Sequence, residues 1–347
     1  MSRIVKEELI FEKEKNLKRY RIENFGDLSI SILDYGLTIE SLKYKGINRV
    51  LTLKNPQDYF TNKHFIGSTI GRVAGRLSKG LIDIDGRKHP LDQNAGAHCL
   101  HGGFQGLSHK KWKYCGSYPV SVGEGEEELS LEFSTTSKDG EGGFPGNLNI
   151  KARFSICKKG KLTMEYFAKT DKKTPITITN HSYFNLNKEP MRTIENHYLI
   201  INSREYLQLK EDKIPKVFRG VEGTLFDFRD KRNLGEAIQQ LKKSGEEGMD
   251  HPFIFHQEEK KLQLLCHLSN TRLAINTTEP CVIVYSGNLL SQDIQFKEQG
   301  PGKPFQGVCL ETQWYPNALN TDFLPKNFIS PQEGYYSKTE YEFQQIE

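Results

Sequence analysis

The sequence lacks the long apolar runs that mark a membrane protein. None of its 347 residues lies in an uninterrupted stretch that approaches the ~20 apolar residues needed to span a bilayer. Only 36% of the residues are hydrophobic, and the mean hydropathy is −0.61. We therefore expect no membrane partner. The low apolar content does not indicate disorder, because 20 Phe and 15 Tyr residues can anchor a core.

Paired cysteines and an apolar leader are also missing. The six cysteines include no C-x-x-C pair, which argues against a zinc ribbon or a redox motif. Residues 1–8 are charged where a signal peptide would need an apolar stretch. These features predict reduced thiols and a cytoplasmic protein.

The sequence also lacks a large excess of either positive or negative charge. The chain carries 48 basic and 44 acidic residues, a net charge of +4, and the signs are interspersed. A nucleic-acid-binding surface usually shows a basic block or stripe. We expect no nucleic-acid partner.

Alternation of apolar and polar residues is what the sequence has in abundance. It extends over residues 129–133, 148–156 and 162–168, and the last two runs flank a hairpin turn at residues 158–160. Asp85 and Gly86 predict a second hairpin turn. A helix is predicted at Leu234–Lys243, with Asn233 as its N-cap.

These patterns predict an all-β fold, a large antiparallel β-sandwich with few short helices. The length alone would suggest two domains, but all-β folds often exceed that expectation. We therefore expect residues 1–347 to form a single domain.

A histidine marks the segment of residues 174–186. If this segment is extended, Ile176 and Ile178 share one face and His181 lies on the opposite, polar face. An imidazole with a pKa near ~6.5 can give or take a proton at neutral pH. His181 is therefore a candidate acid or base, with a structural histidine as the alternative.

Two further histidines, His98 and His101, are three residues apart. This spacing alone is weak, and no third ligand follows at a familiar zinc spacing, so we predict no metal site. Gly102 and Gly103 indicate a tight turn or a close approach of the backbone to a ligand. His101 is a candidate donor to a ligand oxygen, with a structural loop histidine as the alternative.

Two carboxylates are candidates as well. Glu311 alternates with Val308 and Leu310 in a strand pattern, although Glu is disfavoured in strands. It is either a general base or one half of a cross-strand ion pair with Lys or Arg. Asp250 follows a glycine-rich stretch and can accept hydrogen bonds from ligand hydroxyls or cap a turn.

The glycine-rich segment of residues 67–76 is not a nucleotide-binding loop. It contains neither G-x-G-x-x-G nor G-K-[ST], and no βαβ pattern surrounds it. Arg72 and Arg76 are better interpreted as fixed donors to ligand or carboxylate oxygens.

Taken in this order, the segments resemble the aldose 1-epimerase (galactose mutarotase) family. The resemblance extends from about residue 67 to residue 325, and its most specific motifs are NHSYFNL at 180–186 and LETQ at 310–313. Other matching motifs are GRVAGR at 71–76, LHGG at 100–103, DGEGGFPG at 139–146, FDFR at 226–229, DHPF at 250–253 and YSGN at 285–288.

The resemblance implies a large mutarotase-like supersandwich with a sugar on a concave sheet face. It implies interconversion of the α and β anomers of free aldohexoses such as galactose and glucose, without cofactor or metal, by a monomer or homodimer. By resemblance, Glu311 is the catalytic base and His181 the catalytic acid, and Arg76, His101 and Asp250 bind the substrate. The proximity of Glu311 is expected to raise the pKa of His181.

Three other functions compete with this one. A hexose-phosphate 1-epimerase would need a basic cluster for the phosphate, and a non-catalytic carbohydrate-binding β-sandwich would bind sugar without accelerating anomer exchange. A glycoside hydrolase would use two carboxylates, whereas the matched pair here is Glu and His. Gly75 and Ile283 depart from the family pattern and remove polar contacts, so they bear on which aldose is preferred.

Overall fold

Strands are the main secondary structure of the computed structural model, which describes residues 3–11, 16–121, 127–256 and 261–346. The first ten strands are β1 (Arg3–Ile10), β2 (Asn16–Phe25), β3 (Leu28–Leu33), β4 (Thr38–Tyr44), β5 (Ile47–Asn48), β6 (Thr69–Ile70), β7 (Arg76–Leu77), β8 (Leu81–Ile84), β9 (Arg87–Pro90) and β10 (Cys99–Leu100). The next ten are β11 (Lys113–Ser121), β12 (Glu127–Ser137), β13 (Leu148–Cys157), β14 (Lys161–Thr170), β15 (Thr174–Pro175), β16 (Thr179–Asn180), β17 (Tyr183–Phe184), β18 (Tyr198–Ile201), β19 (Glu205–Leu209) and β20 (Pro215–Gly220). The remaining strands are β21 (Arg232–Asn233), β22 (Asp250–Ile254), β23 (Lys261–Cys266), β24 (Thr271–Thr277), β25 (Cys281–Tyr285), β26 (Gln295–Phe296), β27 (Gly300–Pro301), β28 (Val308–Gln313), β29 (Phe328–Ile329) and β30 (Tyr335–Gln345).

Helical structure is short. Within the described residues, the α-helical part is α1 (Leu234–Lys243), and Asn233 caps it by accepting a hydrogen bond from the backbone N–H of Glu236 at 2.9 Å. The 3₁₀ turns are Pro56–Thr61, Ser78–Gly80, Leu107–His109, Glu141–Gly143, Ile194–Asn196, His267–Ser269 and Ala318–Asn320. No helix of the described ranges is long and apolar enough to cross a membrane.

Three antiparallel sheets carry the architecture. Their strand orders are β1-β2-β3-β4-β5, β11-β12-β13-β14-β30-β24-β23-β18-β21 and β17-β28-β25-β22-β19-β20. The hairpins predicted at residues 158–160 and at Asp85 and Gly86 are confirmed as the connections β13–β14 and β8–β9.

The hydrophobic core lies between these sheets. Ile30 of the five-stranded sheet, Phe154 and Leu273 of the nine-stranded sheet, and Val284 and Leu310 of the six-stranded sheet are buried in one cluster. Strands such as β24 and β30 bury alternate side chains, whereas β25 and β28 bury every residue, and together they build a large core from a chain with little apolar content. The predicted all-β sandwich is confirmed.

Candidate active site

The six-stranded sheet supplies the floor of the candidate site through its register. Ile283 of β25 pairs with Glu311 of β28 on one side and with Pro252 of β22 on the other. One pleat along, Tyr285 pairs with both Asp250 and Cys309. Because side chains two residues apart share a face, both rows point to the same side of the sheet.

The opposing wall comes from the short β7–β10 pair. Arg76 begins β7 and pairs with Leu100, so His101 lies directly after β10. The backbone N–H of His101 donates to the carbonyl of Gly75 at 3.0 Å, and the backbone N–H of Gly75 donates to Nδ1 of His101 at 3.2 Å. This reciprocal pair fixes the imidazole to the strand that carries Arg76.

Floor and wall enclose a cavity of about 180 Å³. All five residues that the sequence proposes for the site line it: Arg76, His101, His181, Asp250 and Glu311. The rim adds apolar and basic side chains, among them Leu289 and Lys213. Residues that are up to 235 positions apart, from Arg76 to Glu311, therefore meet at one concave surface.

Glu311 and His181 form a buried pair at the bottom of this cavity. Nε2 of His181 lies 3.4 Å from Oε1 of Glu311, and the two residues are 5% and 3% exposed. Oε2 of Glu311 has no hydrogen-bond partner among the residues described. The second carboxylate oxygen is thus a buried acceptor whose hydrogen-bonding capacity is unsatisfied.

Burial governs the protonation of this pair. It lowers the pKa of His181 to about 4, and burial together with the charge of Asp250 raises the pKa of Glu311 well above its usual value. The pKa of His181 is therefore lower than usual and not higher, as the proximity of Glu311 led us to expect. Desolvation disfavours the charged form of each group.

His101 is held as a neutral hydrogen-bond donor. Burial lowers its pKa well below the usual value, and His181 and Arg76 lower it further. Since a backbone N–H already occupies Nδ1, the proton of the neutral ring lies on Nε2. The rings of His101 and His181 meet edge to face, with centroids 5.5 Å apart.

The site does not offer a good metal ligand set. One ligand atom from each of His101, His181 and Glu311 lies within 4.8 Å of the others. A metal-bound histidine normally donates its other ring N–H to an acceptor. His101 instead faces the N–H donor of Gly75, so its chemistry does not fit a ligand.

Asp250 faces the cavity from the start of β22. Burial raises the pKa of its carboxyl group, while the charges of Arg76 and Lys213 lower it. The positive charge of Arg76 therefore lies close enough to Asp250 to favour its ionised form. Together they offer a donor and an acceptor for neighbouring hydroxyl groups.

Two predictions from the sequence need correction. Arg72 is not a donor to a ligand: it is 2% exposed, and its guanidinium donates to the carbonyl oxygens of Pro145, Ser137 and Lys138. The cross-strand ion pair of Glu311 with Lys or Arg is also wrong, because the residue opposite it is Ile283 and its ionic contact is His181.

Three further side chains at the site were not singled out by sequence reasoning. Cys309 and Gln313 lie two residues before and after Glu311, so the alternation of β28 could have identified them. The Sγ of Cys309 lies 3.4 Å from Nδ1 of His181. Phe65 packs between the two histidines, with ring centroids 4.9 Å from His101 and 5.9 Å from His181, and no sequence pattern indicates it.

Comparison with known proteins identifies the family and the fold of the chain. Residues 18–342 match the family model described as aldose 1-epimerase. A galactose mutarotase of Rattus norvegicus is 33% identical over 325 residues, 91% of each chain, and an aldose 1-epimerase of Escherichia coli is 30% identical over 335 residues, 93% of this chain and 94% of that one. The crystal structure of a galactose 1-epimerase from Lactobacillus acidophilus covers all of both chains with a TM-score of 0.84 at 28% identity.

The family match therefore spans most of the chain, and the fold of a related epimerase spans all of it. This chain belongs to the aldose 1-epimerase family.

Proposed function

We propose that this protein is a mutarotase that interconverts the α and β anomers of free aldohexoses such as galactose and glucose. The contact between Glu311 and His181 inside a cavity with further polar donors and acceptors is the observation that carries this proposal. A general acid and a general base side by side are what opening of a hemiacetal ring requires.

In the proposed reaction, Glu311 takes the proton of the anomeric hydroxyl while His181 gives a proton to the ring oxygen. The bond between C1 and the ring oxygen breaks, and an open aldehyde forms. Rotation about the bond between C1 and C2 presents the other face of the carbonyl. Closure then reverses both proton transfers, so the two residues end in their starting states.

The pair needs only one proton to work. Burial favours its uncharged form, with the proton on Glu311 and a neutral His181. Transfer of that proton across the 3.4 Å contact gives the carboxylate and imidazolium that the reaction uses. A substrate hydroxyl that donates to Oε2 of Glu311 stabilises the carboxylate, because a hydrogen bond to the charged form favours it.

Arg76, His101 and Asp250 are proposed to bind the sugar. His101 supplies a neutral Nε2–H donor, Asp250 an acceptor and Arg76 a charged donor fork. The cavity lining carries the basic side chains of Lys63, Arg76 and Lys213 beside the carboxyl groups of Asp250 and Glu311. Its charges therefore do not separate a free sugar from a hexose phosphate, and the assay below does.

We further infer that the chain acts as one domain. Side chains from all three large sheets share a single core cluster, and the floor and wall of the site belong to different sheets. A cytoplasmic location and a monomeric or dimeric state remain predictions from the sequence.

Polarimetry tests the proposal. Freshly dissolved α-D-glucose and α-D-galactose should reach their equilibrium rotation faster with the protein than without it. A panel of further aldoses and glucose 6-phosphate, assayed in the same way, measures specificity.

Each competing function has its own outcome. Acceleration with glucose 6-phosphate but not with glucose would support the phosphate epimerase. Sugar binding by calorimetry without acceleration of any aldose would support a non-catalytic carbohydrate-binding protein and contradict the mutarotase.

A further inference from the structure

The two histidines of the site have different partners at the same ring atom. Nδ1 of His101 accepts from the backbone N–H of Gly75 at 3.2 Å, whereas Nδ1 of His181 lies 3.4 Å from the Sγ of Cys309. A backbone N–H can only donate, but a thiol can both donate and accept. This difference decides which of the two rings can carry a second proton.

His101 cannot gain a proton at Nδ1 without placing two N–H donors against each other. His181 faces no such conflict. When the ring is neutral and its Nε2 accepts from the carboxyl group of Glu311, its own proton lies on Nδ1 and can donate to the sulfur of Cys309. When the ring becomes an imidazolium, its Nδ1–H keeps this acceptor.

Cys309 is placed by the fold directly beside Nδ1 of His181. It is 0% exposed and lies on β28 two residues before Glu311, on the same face of the strand. Thus β28 supplies the partners of both ring nitrogens, with Glu311 at Nε2 and Cys309 at Nδ1. The backbone of His181 is fixed as well, since its N–H donates to Ser68 and its carbonyl accepts from Gly67.

The thiol itself stays protonated. Burial raises the pKa of Cys309 well above its usual value, and the charge of Glu311 adds to this effect. Cys309 is therefore a hydrogen-bonding group and not a nucleophile, because the thiolate is the reactive form of cysteine.

We propose that Cys309 is a positioning residue that holds the ring of His181 in both of its protonation states, so that Nε2 always faces Glu311 and the substrate. This inference rests on the proposed mutarotase function, in which His181 must alternate between the two states. It also explains why His181 is the acid and His101 a fixed donor.

The test compares Cys309→Ala, which removes the partner of Nδ1, with Cys309→Ser, whose hydroxyl can also donate and accept. Cys281→Ala is the matched control, because Cys281 is equally buried in the same sheet and does not line the cavity. The kcat and KM for α-D-galactose are measured by polarimetry from pH 4.5 to 8.5. Circular dichroism confirms that each variant is folded.

We expect Cys309→Ala to lower kcat about tenfold, the effect of one hydrogen bond to a charged group, with KM unchanged within about twofold. The acid limb of its pH profile should shift to lower pH, because the imidazolium has lost an acceptor. Cys309→Ser should restore kcat to within about threefold of the wild type. Cys281→Ala should leave both the profile and kcat unchanged.

A second readout is independent of activity. In protein labelled with ¹⁵N-histidine, and with His181→Gln to assign the signal, the neutral ring of His181 should be protonated at Nδ1 alone in the wild type. Cys309→Ala should show a mixture of both tautomers. If the wild type fails to accelerate anomer exchange, the mutarotase function fails while this measurement still decides the role of Cys309.

Three results would overturn the proposal. They are an unchanged tautomer of His181 in folded Cys309→Ala, a Cys309→Ser variant as slow as the alanine variant, and a rise in KM at constant kcat. The last would make Cys309 a substrate contact.

Discussion

The hydrogen-bond partner of one ring nitrogen determines whether each histidine of the site can gain a proton. His101 and His181 lie in one cavity and share the neighbour Phe65, but only His101 receives a backbone N–H at Nδ1. A ring locked in this way is a fixed electrostatic donor to a substrate oxygen. It contributes to the rate without titrating.

We therefore predict that His101→Gln lowers kcat about 10²-fold, the effect of losing one preorganised donor. The shape of the pH profile should stay that of the wild type, because the titrating residue is His181. Polarimetry across pH measures both. His98→Gln is the control, since His98 lies outside the cavity lining. Disappearance of the acid limb in His101→Gln would make His101 the titrating acid and contradict this account.

The sequence predicts which residues line the cavity, but not their protonation. Glu311 is indicated by a carboxylate in a strand pattern, and His181 by a histidine on a polar face. Their pKa values depend on how completely the fold removes them from water, which no local pattern encodes. For the same reason, Arg72 and Arg76 looked alike in sequence, while one is buried against backbone carbonyls and the other faces the cavity.

At the scale of elements, short loops place the wall of the site against its floor. Gly102 follows His101 with φ +87°, and an added Cβ would lie 2.0 Å from the carbonyl oxygen of Gly71. Gly86 also has a positive φ, +81°, but a Cβ there would meet nothing within 4 Å. Alanine variants at these two glycines therefore distinguish the cost of backbone strain alone from the added cost of a steric clash.

Gly102→Ala should be destabilised by several kcal/mol and should lose activity, because the clash displaces the loop that carries His101. Gly86→Ala should lose only about 1 kcal/mol through backbone strain and keep full activity. Urea unfolding and polarimetry on both variants provide the measurement. Equal losses of stability in the two variants would show that the close approach of Gly102 does not matter.

Strand register also bears on sugar preference. If the anomeric oxygen lies over Glu311 and the ring oxygen faces His181, then C2 lies on the side of β25, over Ile283. An apolar side chain makes no hydrogen bond to a 2-hydroxyl, so the site loses little binding free energy when that hydroxyl is missing from the sugar. The residues of β25 show no alternation of apolar and polar side chains, and the pairing of this strand with β28 is visible only in the structure.

The wild type should therefore process 2-deoxy-D-galactose with a kcat/KM within about threefold of that for galactose. Ile283→Gln should raise the preference for galactose over the 2-deoxy sugar about tenfold, whereas Ile283→Val should not change it. A wild type that discriminates more than 100-fold between the two sugars would place C2 elsewhere.

The molecule as a whole buries several histidines in neutral form. His197 is 0% exposed, its Nε2 accepts from the backbone N–H of Leu186 at 2.9 Å, and burial lowers its pKa to about 3. Since the unfolded chain binds a proton at a pKa near ~6.5, it holds more protons than the folded chain between these values. Stability therefore falls as pH drops from above 6.5 towards 3.

For His197→Gln, the destabilisation relative to the wild type should shrink by about 2 kcal/mol between pH 7 and pH 5, because the variant has no imidazole to protonate at this position. Urea unfolding at both pH values measures the difference, and the terms from other titrating groups cancel. A gap of the same size at both pH values would contradict the burial of a neutral His197.

The fold class could be predicted at this scale because strand alternation is local. The hairpins at residues 158–160 and 85–86 and the helix Leu234–Lys243 were found where the pattern indicated them. The order of strands within the sheets, and hence the contact between β28 and the segment around His181, depends on pairings across more than 100 residues. Such pairings carry no signal in a single sequence beyond the family motifs.

The central claim is that Glu311 acts as a base in anomer exchange. The most direct measurement is polarimetry of freshly dissolved α-D-galactose with equal concentrations of wild type and Glu311→Gln, a change that keeps the size of the side chain. The account predicts clear acceleration by the wild type and a kcat lowered about 10²–10⁴-fold in the variant. No acceleration by the wild type, or a variant within twofold of it, would contradict the account.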